Sequence, residues 1–224
     1  MGENVLLSGV VGSHAYGLAT QDSDVDRLGV FAAPTEEILG LHPPADSLVH
    51  VKPDITYHEA RKYVSLALKC NPTVTELLWL EDYEVTSELG WELTGIRESF
   101  LSASYVRNAY LGYATQQFRR LENRGDGSFS SDTRKRTAKH ARHLARLLHQ
   151  GAELWKDGTL RVRLSDPEWF RGFGEKVAAG DLDLAKKQLA MAERFFDEEI
   201  TPLPEYPDEK PAGDWLLKVR RLYW

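Results

Sequence analysis

Every β-type run in this chain lies before residue 86, and from residue 87 onward the pattern is helical. Strands gathered at one end and helices at the other are the mark of an α+β architecture. The expectation is a small mixed-sheet core followed by an all-helical part, divided as residues 1–86 and 87–224. Val5-Leu6-Leu7-Ser8-Gly9-Val10-Val11 is apolar and rich in β-branched residues, and it stops at Gly12-Ser13. It reads as a buried strand. Asp24 to Phe31 reads as a second strand, Leu48 to Val51 as an edge strand, and Asp54 to Tyr57 as a further one. Pro53 between the last two limits pairing and favours an edge or a bulge.

From Glu59 the period becomes helical, with Asn71-Pro72 as the break between two helices. Long helices are expected over about Ser102–Leu121, Asp132–Trp155 and Asp181–Ile200, the last with Asp181 as its N-cap. Thr201 to Pro211 carries four prolines and reads as an extended connector, after which Asp214–Tyr223 packs back through Trp215, Leu216 and Val219. With 224 residues, 42% hydrophobic and 28% charged, the chain can bury a proper core. One cysteine, Cys70, excludes an internal disulfide framework and a Cys-based zinc site. No apolar run approaches the roughly 20 residues of a membrane span. The start Met1-Gly2-Glu3-Asn4 lacks the basic and apolar regions of a signal peptide, so a cytoplasmic setting without membrane attachment is expected.

Chemistry concentrates between residues 12 and 26. A Gly12-Ser13 turn at a strand end, leading into a helix, offers backbone N–H groups and a hydroxyl to phosphate oxygens. Asp24 and Asp26, two apart on a strand, send their carboxylates to one face. Two such carboxylates repel unless a cation sits between them, and oxygen-only ligands suit Mg²⁺ or Mn²⁺. Alone, an Asp-x-Asp pair near a turn is a solvated loop. Placed about ten residues behind a phosphate seat, it points to a nucleotide site.

This stretch resembles the Gly-Ser … Asp-x-Asp signature of the DNA-polymerase-β-type nucleotidyltransferases. Within them it is most similar to the predicted nucleotidyltransferases of an RNA-repair pathway. Two further blocks carry the likeness. One runs from Asp54-Ile55-Thr56-Tyr57-His58-Glu59-Ala60-Arg61-Lys62-Tyr63 into Lys69-Cys70-Asn71-Pro72-Thr73-Val74-Thr75-Glu76-Leu77-Leu78. The other is Lys139-His140-Ala141-Arg142-His143-Leu144-Ala145-Arg146-Leu147-Leu148 with Gly151. The resemblance implies that Gly12 and Ser13 hold the β- and γ-phosphates of a nucleoside triphosphate such as ATP. It implies that Asp24, Asp26 and Asp54 bind two Mg²⁺ or Mn²⁺ ions. Asp54 would also orient an acceptor hydroxyl and help remove its proton. A nucleoside monophosphate would pass to that hydroxyl with release of pyrophosphate.

Several residues keep two readings. Asp54 follows Pro53 and could instead cap the next helix. His14 could hydrogen-bond a phosphate or cap the turn. Lys62 could reach the triphosphate or stand in solvent. Residues 119–163 hold twelve Lys or Arg against five Asp or Glu, so this segment is +7 and the remainder −13. Within it, Lys139, Arg142 and Arg146 follow i, i+3, i+7 spacing on one helix, opposite Leu144, Leu147 and Leu148. Such a stripe could grip a triphosphate or a nucleic-acid backbone, or form a solvated face. The acceptor is accordingly an RNA 3′ end, which the basic helix favours, or a protein or small-molecule hydroxyl, which the acidic pI of about 5.7 favours. A nucleotide-binding module without catalysis is the third reading, and the intact Gly12, Ser13, Asp24, Asp26 and Asp54 argue against it. The sequence leaves the oligomeric state open.

Overall fold

The computed structural model describes residues 4–123 and 131–224. Met1–Glu3 and residues 124–130 of the basic segment lie outside the described residues. The chain divides into two compact units, Met1–Ser102 with Pro204–Trp224, and Ala103–Leu203. The fold is α+β, with a mixed sheet near the N-terminus and helices after it.

The first unit is built on five strands: β1 (Val5–Val11), β2 (Asp26–Phe31), β3 (Ser47–Val51), β4 (Asp54–Glu59) and β5 (Val85–Thr86). Their order is β3-β4-β2-β1-β5. β1 and β2 are antiparallel, with Val11 opposite Asp26, while β2 and β4 are parallel, with Arg27 opposite Ile55. β3 is an edge strand, as its pattern suggests, and Pro53 sits in the two-residue turn that pairs Val51 with Asp54. A turn has no ladder bond for proline to break, which is why it is tolerated there.

Six helices join this sheet: α1 (Gly12–Tyr16), α2 (Thr35–Leu39), α3 (Ala60–Ala67), α4 (Pro72–Leu78), α5 (Glu88–Gly95) and, from the far end of the chain, α10 (Glu209–Leu222). α4 begins as its sequence dictates. The Asn71 side chain accepts from the Val74 N–H, and Pro72 takes the first helical position, where no N–H is required. α10 starts earlier than expected. Its cap is Asp208, and Pro211 falls in the first turn, where proline removes no intrahelical bond. Trp215 and Val219 are buried, and the Trp215 indole N–H donates to the Leu89 carbonyl of α5 at 2.9 Å. Arg220 grips the buried Glu59 carboxylate with both guanidinium arms, at 2.7 and 2.9 Å.

The second unit is α6 (Ala103–Glu122), α7 (Ser131–Asp157), α8 (Pro167–Ala178) and α9 (Leu182–Glu198). α7 packs against the other three. α9 is capped by Asp181, whose side chain accepts from the Leu184 N–H. Sequence pattern did not single out α8, capped by Asp166 with Pro167 at its first position. Gly151 marks a close crossing, because a Cβ there would stand 2.8 Å from Cβ of Tyr110 on α6.

Candidate active site

The Gly12–Ser13 turn is made where β1 ends and α1 begins. Gly12 has φ +70°, in the left-handed region that costs other residues dearly. A Cβ on it would lie 2.5 Å from Oδ2 of Asp26. The missing side chain is therefore what lets the Asp26 carboxylate sit against the turn. No side chain caps the start of α1, and its far end is closed by Gly17 at φ +75°.

Asp26 heads β2 and Asp54 heads β4, one step beyond the Arg27–Ile55 pair of these parallel strands. In-register residues of parallel strands leave the sheet on the same face, and neighbouring strands lie about 4.8 Å apart. Gly12, Asp26 and Asp54 thus share one end of the sheet. Asp54 belongs to a strand, and the N-cap of α3 is Glu59, whose carboxylate accepts from the Arg61 N–H at 2.8 Å. The capping alternative for Asp54 is removed.

β2 starts two residues later than expected, which leaves Asp24 exposed in the preceding loop. That loop is shaped by its own bonds. The Thr20 N–H donates to Ser23 Oγ at 2.9 Å, and the Ser23 N–H to the Thr20 carbonyl at 3.1 Å. His14 Nε2 donates to the Ser23 carbonyl at 3.3 Å, tying α1 to the loop that delivers Asp24.

Among the described residues, no three or more His, Cys, Asp or Glu side chains are gathered into a group that could hold a metal ion. Asp24, Asp26 and Asp54 do not form a finished cage. Mg²⁺ is ordinarily held by one or two carboxylates with substrate phosphates and water supplying the rest. The all-oxygen donors beside a bare glycine turn fit that arrangement, in which a triphosphate completes the shell. They do not fit an ion held by protein alone.

Lys62 is not brought to this end. β4 runs away from Asp54 for six residues before α3 begins, roughly 16 Å of strand. At the opposite end Lys62 pairs with Asp46 at 3.3 Å, holding that carboxyl below its usual range, and lines a cavity of about 290 Å³ with Glu59 and Arg61.

The three basic residues of α7 do not form a solvent-facing stripe either. Lys139 is exposed and Arg142 is half-buried, with its stem under Gly174 of α8. Arg146 is 1% exposed. Its guanidinium donates to Gln150 Oε1 at 2.5 Å and to His143 Nδ1 at 3.1 Å, while Gln150 donates to the Arg161 and Val162 carbonyls. Burial, and next the nearby Arg146 charge, push the His143 imidazole down to about 3, so the ring is neutral and free to accept. A charged stripe faces solvent only on a surface helix. α7 is covered by three neighbours, so its polar side is partly interior.

Sequence reasoning missed one pair in the first unit. Tyr16 Oη, at the end of α1, donates to the carboxylate of Glu76 on α4, 2.6 Å from each oxygen. The available signal was an acidic residue inside the apolar run Val74-Thr75-Glu76-Leu77-Leu78, where solvent cannot serve it.

The RNA repair pathway DNA polymerase beta family matches this chain over residues 2–166, through the sheet and on past α7. No curated protein matches the chain. Among solved structures it is similar to a nucleotidyltransferase-like protein from Exiguobacterium sibiricum 255-15, at 12% identity and a TM-score of 0.35, over 98% of this chain and 74% of that one. No helix among the described residues is long and apolar enough to cross a membrane.

Proposed function

Because this chain belongs to the RNA repair pathway DNA polymerase beta family, we propose that it is a metal-dependent nucleotidyltransferase acting on a nucleoside triphosphate, with an RNA 3′ end as acceptor. The observation that carries the reading is Gly12, held at positive φ with Asp26 packed where its side chain would be, while Asp54 heads the neighbouring parallel strand.

Gly12 and Ser13 receive the β- and γ-phosphates through backbone N–H groups and the Ser13 hydroxyl. Asp24, Asp26 and Asp54 would hold two Mg²⁺ or Mn²⁺ ions, with phosphate oxygens supplying further ligands. When bound, such ions neutralise charge on the transferring phosphoryl group and on the attacking and leaving oxygens. Asp54 orients the acceptor hydroxyl and accepts its proton. The acceptor oxygen bonds to the α-phosphorus, the bond from that phosphorus to the bridging oxygen breaks, and pyrophosphate leaves. His14 keeps the Asp24 loop fastened to the turn. Positioning and charge neutralisation supply most of the rate.

The test is incubation of the protein with each labelled triphosphate, Mg²⁺ or Mn²⁺, and RNA. Label should enter RNA with pyrophosphate release, and Asp24→Asn with Asp26→Asn should abolish both while leaving the circular dichroism spectrum unchanged. Label entering protein or a small molecule instead would move the acceptor to that class. Triphosphate binding without pyrophosphate release would mark a binding module, and full activity of the double variant would overturn the assignment of these acids.

A further inference from the structure

We infer that Tyr16 and Glu76 are positioning residues for the Gly12–Ser13 turn, an inference that rests on the triphosphate reading above. α1 has five residues, too few to hold a helical shape alone in water. Its start has no side-chain cap, so its placement depends on outside links. One is modest: His14 to the Ser23 carbonyl at 3.3 Å, whereas the Leu18 N–H to Ser13 carbonyl bond at 2.8 Å only closes the end of α1 on itself. A stronger one is the Tyr16–Glu76 bond, shared between both carboxylate oxygens at 2.6 Å.

Its surroundings make this link unusual. Glu76 is fully buried and Tyr16 is 8% exposed. Placing a carboxyl group inside a core is costly unless it is well hydrogen-bonded, and apolar residues usually fill such a position with no loss of stability. Glu76 is flanked by buried Val74, Leu77 and Leu78, so packing alone does not require an acid there. What an acid adds is direction, since a hydrogen bond fixes where the tyrosine hydroxyl must be.

The other end of the link is firm. α4 carries the Asn71 cap and Pro72 at its start, Tyr63 Oη donates to its Val74 carbonyl at 2.8 Å, and it packs on β1 and β2. Tyr16 is the last residue of α1 and Gly12 the first, about 6 Å apart along the axis. Slack at Tyr16 is therefore transmitted to the turn, whose clearance from Asp26 is set by the absence of a single Cβ.

The decisive variant is Tyr16→Phe with Glu76→Leu. Replacing both partners by apolar residues of similar shape removes this bond without stranding either of its two ends, so the fold should persist. Amide hydrogen exchange over residues 12–18 should quicken at least about tenfold while α4 keeps its protection, and the triphosphate kcat/KM should fall about 10- to 100-fold. Glu76→Gln, which keeps an acceptor for the tyrosine, should restore both to within about threefold. If the double variant unfolds, Tyr16→Phe alone is read the same way. Native exchange at residues 12–18 together with native kinetics would overturn the inference. A wild-type protein that releases no pyrophosphate from any triphosphate defeats the functional reading, and the exchange comparison then decides the positioning role by itself.

Discussion

Replacing Gly12 by alanine tests the geometry on which the site depends. Two penalties separate cleanly. The first is backbone strain, since a residue with a Cβ held at φ +70° costs about 1–2 kcal/mol. For a chain of this size that lowers Tm by roughly 2–8 °C. The second is a collision. The new Cβ would stand 2.5 Å from Asp26 Oδ2, so the carboxylate has to retreat by about 1 Å to reach ordinary contact. Misplacement by 1 Å at a reacting centre costs about 100-fold in rate. Gly158→Ala is the matched control: φ there is +66°, and a Cβ would meet its nearest neighbour, Leu203, at an unstrained 3.7 Å. Both variants should melt a few degrees early. Only Gly12→Ala should lose transferase activity, by about two orders of magnitude in kcat/KM for the triphosphate. Equal activity in the two variants would refute the claim that Asp26 works from the space beside Gly12.

Two further outcomes concern the helical unit. The His143 imidazole is lowered to about 3 by burial and then by Arg146, while the unfolded chain titrates near 6.5. The unfolded state therefore binds the proton first as pH falls, and stability present above pH 6.5 is lost progressively down toward pH 3, by about 1.4 kcal/mol per pH unit at most. Melting at pH 7 and pH 5 should show this slope, and His143→Gln should flatten it. Arg146→Ala should destabilise the unit by roughly 2–5 kcal/mol because its buried partners Gln150 and His143 lose their donor, whereas Lys139→Ala should stay within about 0.5 kcal/mol. Equal denaturant midpoints for the two variants would return Arg146 to the surface.

The first four strands, the Asn71-Pro72 helix break, the Asp181 cap and the Gly12–Ser13 turn were legible because each is written in neighbouring residues. Asn71 and Asp181 each act on an N–H group three positions away, and the apolar run Val5–Val11 ends where Gly12 permits a turn. The sequence alone thus determined an α+β chain with a glycine turn and acids at strand starts. Which acids share an end of the sheet was decided by register: parallel pairing of β2 with β4 places Asp54 beside Asp26 and carries Lys62 to the far end. The same holds for α7. Its periodicity located the buried leucines, but covering by α6, α8 and α9 took Arg146 into the interior, and no local pattern records how many neighbours a helix will have. α10 shows the same limit from the other direction. Its apolar face was readable, while its attachment through Arg220 to Glu59, across most of the chain length, exists only once both are folded. Local chemistry fixes what each segment can be. Through-space packing fixes which charges meet, because side chains distant in sequence compete for the same buried volume.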